Sequence, residues 1–114
     1  MIDDESLIRD GIQSLIRSIG IRVEGFPSAQ AFMDAKRIDA PACLILDVRM
    51  PGMSGPDLQR WLAANSNRLP IIFITAHGDD DVVSRVMADG AVDCLLKPFT
   101  EDSLLRAISV SLAN

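Results

Sequence analysis

Cys43-Leu44-Ile45-Leu46-Asp47 is a row of apolar residues closed by a carboxylate. A run that is apolar at every position belongs to a strand covered on both faces, as in a parallel sheet with helices above and below it. Two later stretches repeat the design. Ile71-Ile72-Phe73-Ile74 is followed by Thr75, and Val92 to Leu96 is followed by Lys97 and Pro98.

Between these runs the spacing turns helical. Leu7, Ile8, Ile12, Leu15, Ile16 and Ile19 recur at helical intervals, and Gly20 is a natural stop. Ile21 to Phe26 alternates and predicts a strand. Ser28 is placed to cap a helix through about Arg37, with Ala31, Phe32 and Ala35 inward, and Asp39 to Pro41 reads as a turn. After the Pro- and Gly-rich loop at 51–55, Pro56 starts a helix to about Ala64. Asp79 to Asp81 begin another that ends near Gly90. Thr100 caps a last one carrying Leu104, Leu105, Ile108 and Leu112. The prolines all fall in loops or at helix starts.

Strands alternating with helices mean an α/β fold, with a parallel sheet between two helical layers and right-handed crossovers. The alternation also requires a strand before the first helix, yet only Met1 and Ile2 precede Asp3. Either the natural chain begins earlier than Met1, or this first strand is truncated.

The length of 114 residues suits one domain, residues 1–114. A net charge of −5, with two lysines among eleven basic residues, argues against direct nucleic-acid binding. No apolar run reaches membrane-spanning length, and the acidic start is not a signal peptide. A cytoplasmic location is the expectation. Cys43 and Cys94 read as reduced, buried small residues rather than a disulfide framework.

Ligands of open α/β sheets bind beyond the carboxyl ends of the strands. Here those ends carry Asp3, Asp4 and Glu5, then Asp47, then Thr75, then Lys97. Each has a plain explanation alone. Asp3 and Asp4 favour a helix start, Asp47 closes a turn, Thr75 suits a strand end, and Lys97 suits a solvated loop. Their joint arrival at one edge is the signal. Clustered carboxylates repel one another unless a cation holds them, and an all-oxygen, highly charged donor set points to Mg²⁺.

Asp3-Asp4-Glu5, the stretch Leu46-Asp47-Val48-Arg49-Met50-Pro51-Gly52-Met53-Ser54-Gly55, Ile74-Thr75-Ala76 and Lys97-Pro98-Phe99 together resemble a two-component response-regulator receiver domain. The resemblance covers essentially the whole chain. The wording of 46–55 and of 74–79 is closest to the FixJ-like subgroup, in which a receiver usually precedes a helix-turn-helix DNA-binding output domain. The implied fold is a flavodoxin-like (βα)5 three-layer sandwich with sheet order 2-1-3-4-5.

The resemblance implies a role for each matching residue. Asp47 would be the phosphoacceptor, forming an aspartyl-phosphate with a phosphoryl group from a sensor histidine kinase. Asp4 would bind Mg²⁺ directly, Asp3 mainly through water, Asp47 by its carboxylate and Arg49 by its backbone carbonyl. Lys97 would pair with a phosphoryl oxygen. Thr75 would donate its hydroxyl to another, with the small Ala76 leaving access. The Lys97–Pro98 bond would be cis. The surface of the fourth helix, fifth strand and fifth helix would then switch, permitting a homodimer or release of an output domain. The chain would be a signalling switch, its only chemistry self-phosphorylation and self-dephosphorylation.

One departure stands out. The family usually has Phe or Tyr three residues before the lysine, where this chain has Cys94. The plain reading is a small buried strand residue. The aromatic readout is then weakened or rerouted, through Leu95, Leu96 or Phe99. His77, the sole histidine, lacks a partner histidine or thiolate for metal work and is expected to influence water access. Trp61, with Leu58 and Leu62, reads as packing. Rival functions are a receiver-like interaction module that is not phosphorylated, an aspartyl hydrolase and a flavodoxin-like carrier. The second needs an acid where Arg49 stands. The third needs a phosphate-cradling loop where Asp3-Asp4-Glu5 would repel one.

Overall fold

The computed structural model describes residues 1–35, 43–65, 69–76 and 80–113. In chain order the elements are α1 (Ser6–Ser18), α2 (Ala29–Asp34), β1 (Leu44–Asp47), α3 (Gly55–Ala64), β2 (Ile71–Thr75), α4 (Asp80–Ala88), β3 (Asp93–Leu96) and α5 (Glu101–Ala113). The expected turn at Asp39 to Pro41, His77 and Asp79 lie outside the described residues. The second helix stops at Asp34, short of the expected Arg37, because Ala35 is already extended (φ −69°, ψ 132°).

β1, β2 and β3 form a parallel ladder in that order, pairing Leu44 with Ile71 and Ile72 with Asp93. Side chains alternate across a strand, and here the alternation divides the core in two. Leu44, Leu46, Ile71 and Phe73 pack with Ala29 and Phe32 of α2, Leu58 and Leu62 of α3, and Val86 of α4. Ile45, Ile72 and Ile74 pack with Ile12 and Ile16 of α1 and with Leu104, Ala107 and Ile108 of α5. The sheet is therefore covered on both faces, as the apolar runs imply.

The other side of the sheet departs from expectation. Ile21 to Phe26 is not a strand. It joins the sheet through a parallel bridge from Phe26 to Ile2 and through the Glu24 carbonyl, which accepts from the Met1 amine at 3.0 Å, and Ile2 in turn bridges Leu46. Ile2 donates to the Ile45 carbonyl at 2.8 Å and Phe26 to the Met1 carbonyl at 2.9 Å. Of the five implied strands, three make a ladder and two are represented by single bridge residues, in the sequence Phe26, Ile2, β1, β2, β3. β3 is also less enclosed than an all-apolar run suggests, since Leu96 is 52% exposed.

Capping follows the sequence closely. The Ser28 hydroxyl accepts from the Ala31 amide, and Thr100 Oγ1 accepts from the Ser103 amide. Ser54 and Asp57 form a reciprocal capping box at α3. Gly20, at φ 84°, closes α1 in a conformation that costs glycine little. The inner faces differ in detail. Ala29 rather than Ala31 or Ala35 is fully buried in α2, Ser111 rather than Leu112 is buried in α5, and Leu7 of α1 and Ile19 at its C-cap are exposed. Trp61 is 43% exposed, so its packing role is partial.

Candidate functional site

The carboxyl ends of the parallel strands and the turn after Ile2 supply the site. The Asp47 amide donates to the Ile2 carbonyl at 3.0 Å, which sets Asp3 beside the end of β1. The Asp3 amide donates to Phe26, and Asp3 Oδ1 accepts from the Glu5 amide at 2.9 Å. Lys97 follows β3. Its amide donates to the Thr75 carbonyl at 2.7 Å, tying it to the end of β2. The Lys97–Pro98 peptide is cis, as the resemblance implies.

The charges then interlock. Lys97 Nζ lies 3.3 Å from Asp3 Oδ2, 3.7 Å from Asp47 Oδ2 and 3.9 Å from Glu5 Oε1. Asp3 and Asp47 are buried and Asp4 is exposed. One carboxylate oxygen from each of Asp3, Asp4 and Asp47 falls within 4.8 Å of the others. Burial, and then the neighbouring Asp3 carboxylate, push the Asp47 carboxyl up to about 6, against the opposing pull of Lys97 and of the Arg49 amide. An all-oxygen set with excess negative charge fits a hard divalent cation. The cluster could hold one.

The remaining predicted residues stand around this cluster. The Arg49 amide donates to Asp47 Oδ1 at 3.3 Å while its side chain is exposed. Thr75 is buried at the end of β2, and Ala76 beyond it is exposed. Cys94 is not part of the cluster. It pairs with Phe73 in the ladder and packs, half-buried, against the α2–α3–α4 side of the core. Both cysteines are free, and burial raises both thiols. Cys43 precedes β1 and Cys94 lies on β3, with β2 between them.

Two contributors were not identified from sequence. Gly55 donates its amide to the Val48 carbonyl, and a Cβ there would collide with the Asp47 carbonyl oxygen and sit 2.9 Å from the Phe73 ring. Only glycine lets α3 start this close to Asp47. Arg9 Nη1 donates to the Asp3 carbonyl at 2.7 Å. Its signal was a cation near the start of a helix, where the helix dipole disfavours one.

Comparison with known proteins settles the family. The family model described as the response regulator receiver domain matches residues 1–109. This chain belongs to that family. The receiver is 47% identical over 112 residues to the response regulator protein TmoT of Ectopseudomonas mendocina, covering 98% of this chain and 51% of that protein. It is 39% identical to the transcriptional regulatory protein FixJ of Bradyrhizobium diazoefficiens, covering 98% of this chain and 55% of that one. Among solved structures, the response regulator StyR superposes with a TM-score of 0.90 at 47% identity, over 98% of this receiver and 57% of that chain. The receiver thus spans about half the length of the curated relatives it matches. No helix among its described residues is long and apolar enough to cross a membrane.

Proposed function

We propose that this receiver takes a phosphoryl group onto Asp47 from a phosphohistidine of a sensor kinase. The observation that carries the reading is the meeting of Asp3, Asp4, Asp47 and Lys97 at one sheet edge. An Asp47 carboxylate oxygen attacks phosphorus, the P–N bond to histidine breaks, and the imidazole leaves with the bonding pair and takes a proton. Asp3, Asp4 and Asp47, with the backbone carbonyl of Arg49, are the residues that would hold Mg²⁺. When bound, the cation offsets the negative charge brought in by the phosphoryl group. Lys97 exchanges part of its contact with Asp47 for a phosphoryl oxygen, and the Thr75 hydroxyl donates to another. Ala76 leaves the approach open.

Movement of Thr75 and Lys97 biases the α4–β3–α5 surface, the counterpart of the helix 4, strand 5 and helix 5 face. The names of the relatives, regulators of transcription among them, support a DNA-binding output domain as the controlled partner in the full protein, with a homodimer through that face. A cytoplasmic setting and a single receiver domain over 1–114 belong to the same reading. Cys94 keeps a second reading in play, an interaction module that is not phosphorylated. Incubation with Mg²⁺ and acetyl phosphate, followed by intact mass, separates them. One Mg²⁺-dependent phosphoryl adduct supports the phosphoacceptor. A folded sample with no adduct supports the interaction module.

A further inference from the structure

Arg9 has no part in the chemistry just described, yet it is bonded to the centre of the acidic turn. Asp3 uses all of its polar atoms. Its amide donates to Phe26, Oδ1 accepts from the Glu5 amide, Oδ2 faces Lys97, and its carbonyl accepts from Arg9 Nη1 at 2.7 Å. That carbonyl belongs to the Asp3–Asp4 peptide, which is planar, so holding the oxygen holds the plane and the Asp4 Cα with it.

Asp4 needs such a restraint. Among the described residues its exposed side chain forms no hydrogen bond or ion pair, although one of its oxygens lies within 4.8 Å of those of Asp3 and Asp47. Glu5, the N-cap of α1, makes no side-chain capping bond that would fix the turn instead. The Glu5 amide on Asp3 Oδ1 and the Arg9 amide on the Glu5 carbonyl support the turn on the far side of Asp4.

We propose that Arg9 is a positioning residue for the metal-binding turn: by clamping the Asp3 carbonyl it sets where the Asp4 carboxylate stands relative to Asp3 and Asp47. The inference rests on the metal-binding reading given above. Charge and geometry pull in opposite directions here, which makes it testable. As a mere positive charge beside an acidic pocket, Arg9 repels a divalent cation, and its removal tightens binding. As a clamp it preorganises the ligands, and its removal weakens binding by about 10-fold, the low end of the range for groups that orient metal ligands.

The test is a Mg²⁺ titration of the 114-residue chain followed by amide NMR shifts at Asp3, Asp4 and Glu5, which also reports folding. Arg9→Met with a well-dispersed spectrum and about 10-fold weaker Mg²⁺ binding is the expected result. Binding as tight as wild type, or tighter, overturns the clamp. If Arg9→Met does not fold, Arg9→Lys decides, because it keeps the charge and loses the guanidinium reach. Binding about 3-fold weaker than wild type is then expected, and unchanged affinity overturns the proposal. A wild-type protein that binds no Mg²⁺ overturns the metal reading itself, and the clamp with it.

Discussion

The acidic pocket and the α4–β3–α5 face are built on opposite principles. In the pocket the buried charged groups are committed to partners. Lys97 stands within 4 Å of Asp3, Asp47 and Glu5, and Asp3 alone has four polar partners. On the face, each element instead carries a large apolar side chain in the open: Met87 at 41%, Leu96 at 52% and Val110 at 48% exposure. Energy is therefore concentrated where chemistry is proposed and sparse where a partner is proposed. A site that must place charges needs preorganisation. A surface that must change state needs loosely held groups.

Lys97→Met tests the tight side with the largest expected effect. It leaves the buried Asp3 and Asp47 without their cation, and denaturant unfolding at pH 7.5 without Mg²⁺ should show a loss of about 3 kcal/mol. Added Mg²⁺ should restore part of it. A loss under about 0.5 kcal/mol would mean that the pocket is no more committed than an ordinary surface ion pair.

Asp47→Asn should act in the other direction. The Asp47 carboxyl is raised from 3.8 to about 6 in the folded chain. Between those values the folded state binds more protons than the unfolded state, so this group makes stability fall as pH rises from about 4 to about 6. Above that window the mutant should be more stable than wild type by about 1–3 kcal/mol in the absence of Mg²⁺. Below pH 4 the difference should vanish. A difference that grows toward low pH would contradict the cause assigned to the shift.

Leu96→Ser should do least. On the exposed face its cost should stay within about 0.5 kcal/mol, with Mg²⁺ binding unchanged. If the face forms the proposed dimer, gel filtration of the phosphorylated variant should show less dimer than wild type.

The same contrast explains what the sequence disclosed. β1 and β2 were legible because burial on both faces leaves an uninterrupted apolar run, and the pocket because Asp47 and Thr75 end apolar runs while Asp3 and Lys97 come directly after them. Ile21 to Phe26 was misjudged for a definite reason. Its burial does alternate, with Ile21 and Val23 packed on the α1–α5 side of the core. A strand, however, also needs a partner backbone, and the segment available is Met1–Ile2, which supports a bridge at one residue. Periodicity reports burial and not pairing. Arg9 and Gly55 were missed because their roles are contacts made by or against backbone carbonyls, which no side-chain pattern encodes. Leu96 and Leu112 carried apolar identity but not their exposure, which depends on what tertiary packing leaves uncovered.

Asp47, and neither of the acids beside it, is the proposed acceptor of the phosphoryl group. The direct measurement is borohydride reduction after incubation with Mg²⁺ and acetyl phosphate, followed by peptide mass spectrometry. An aspartyl-phosphate is reduced to homoserine at the phosphorylated position. Homoserine at Asp47, absent when Mg²⁺ is withheld and absent in Asp47→Asn, is the predicted result. Homoserine at Asp3 or Asp4, or at no position in a folded sample, would contradict it.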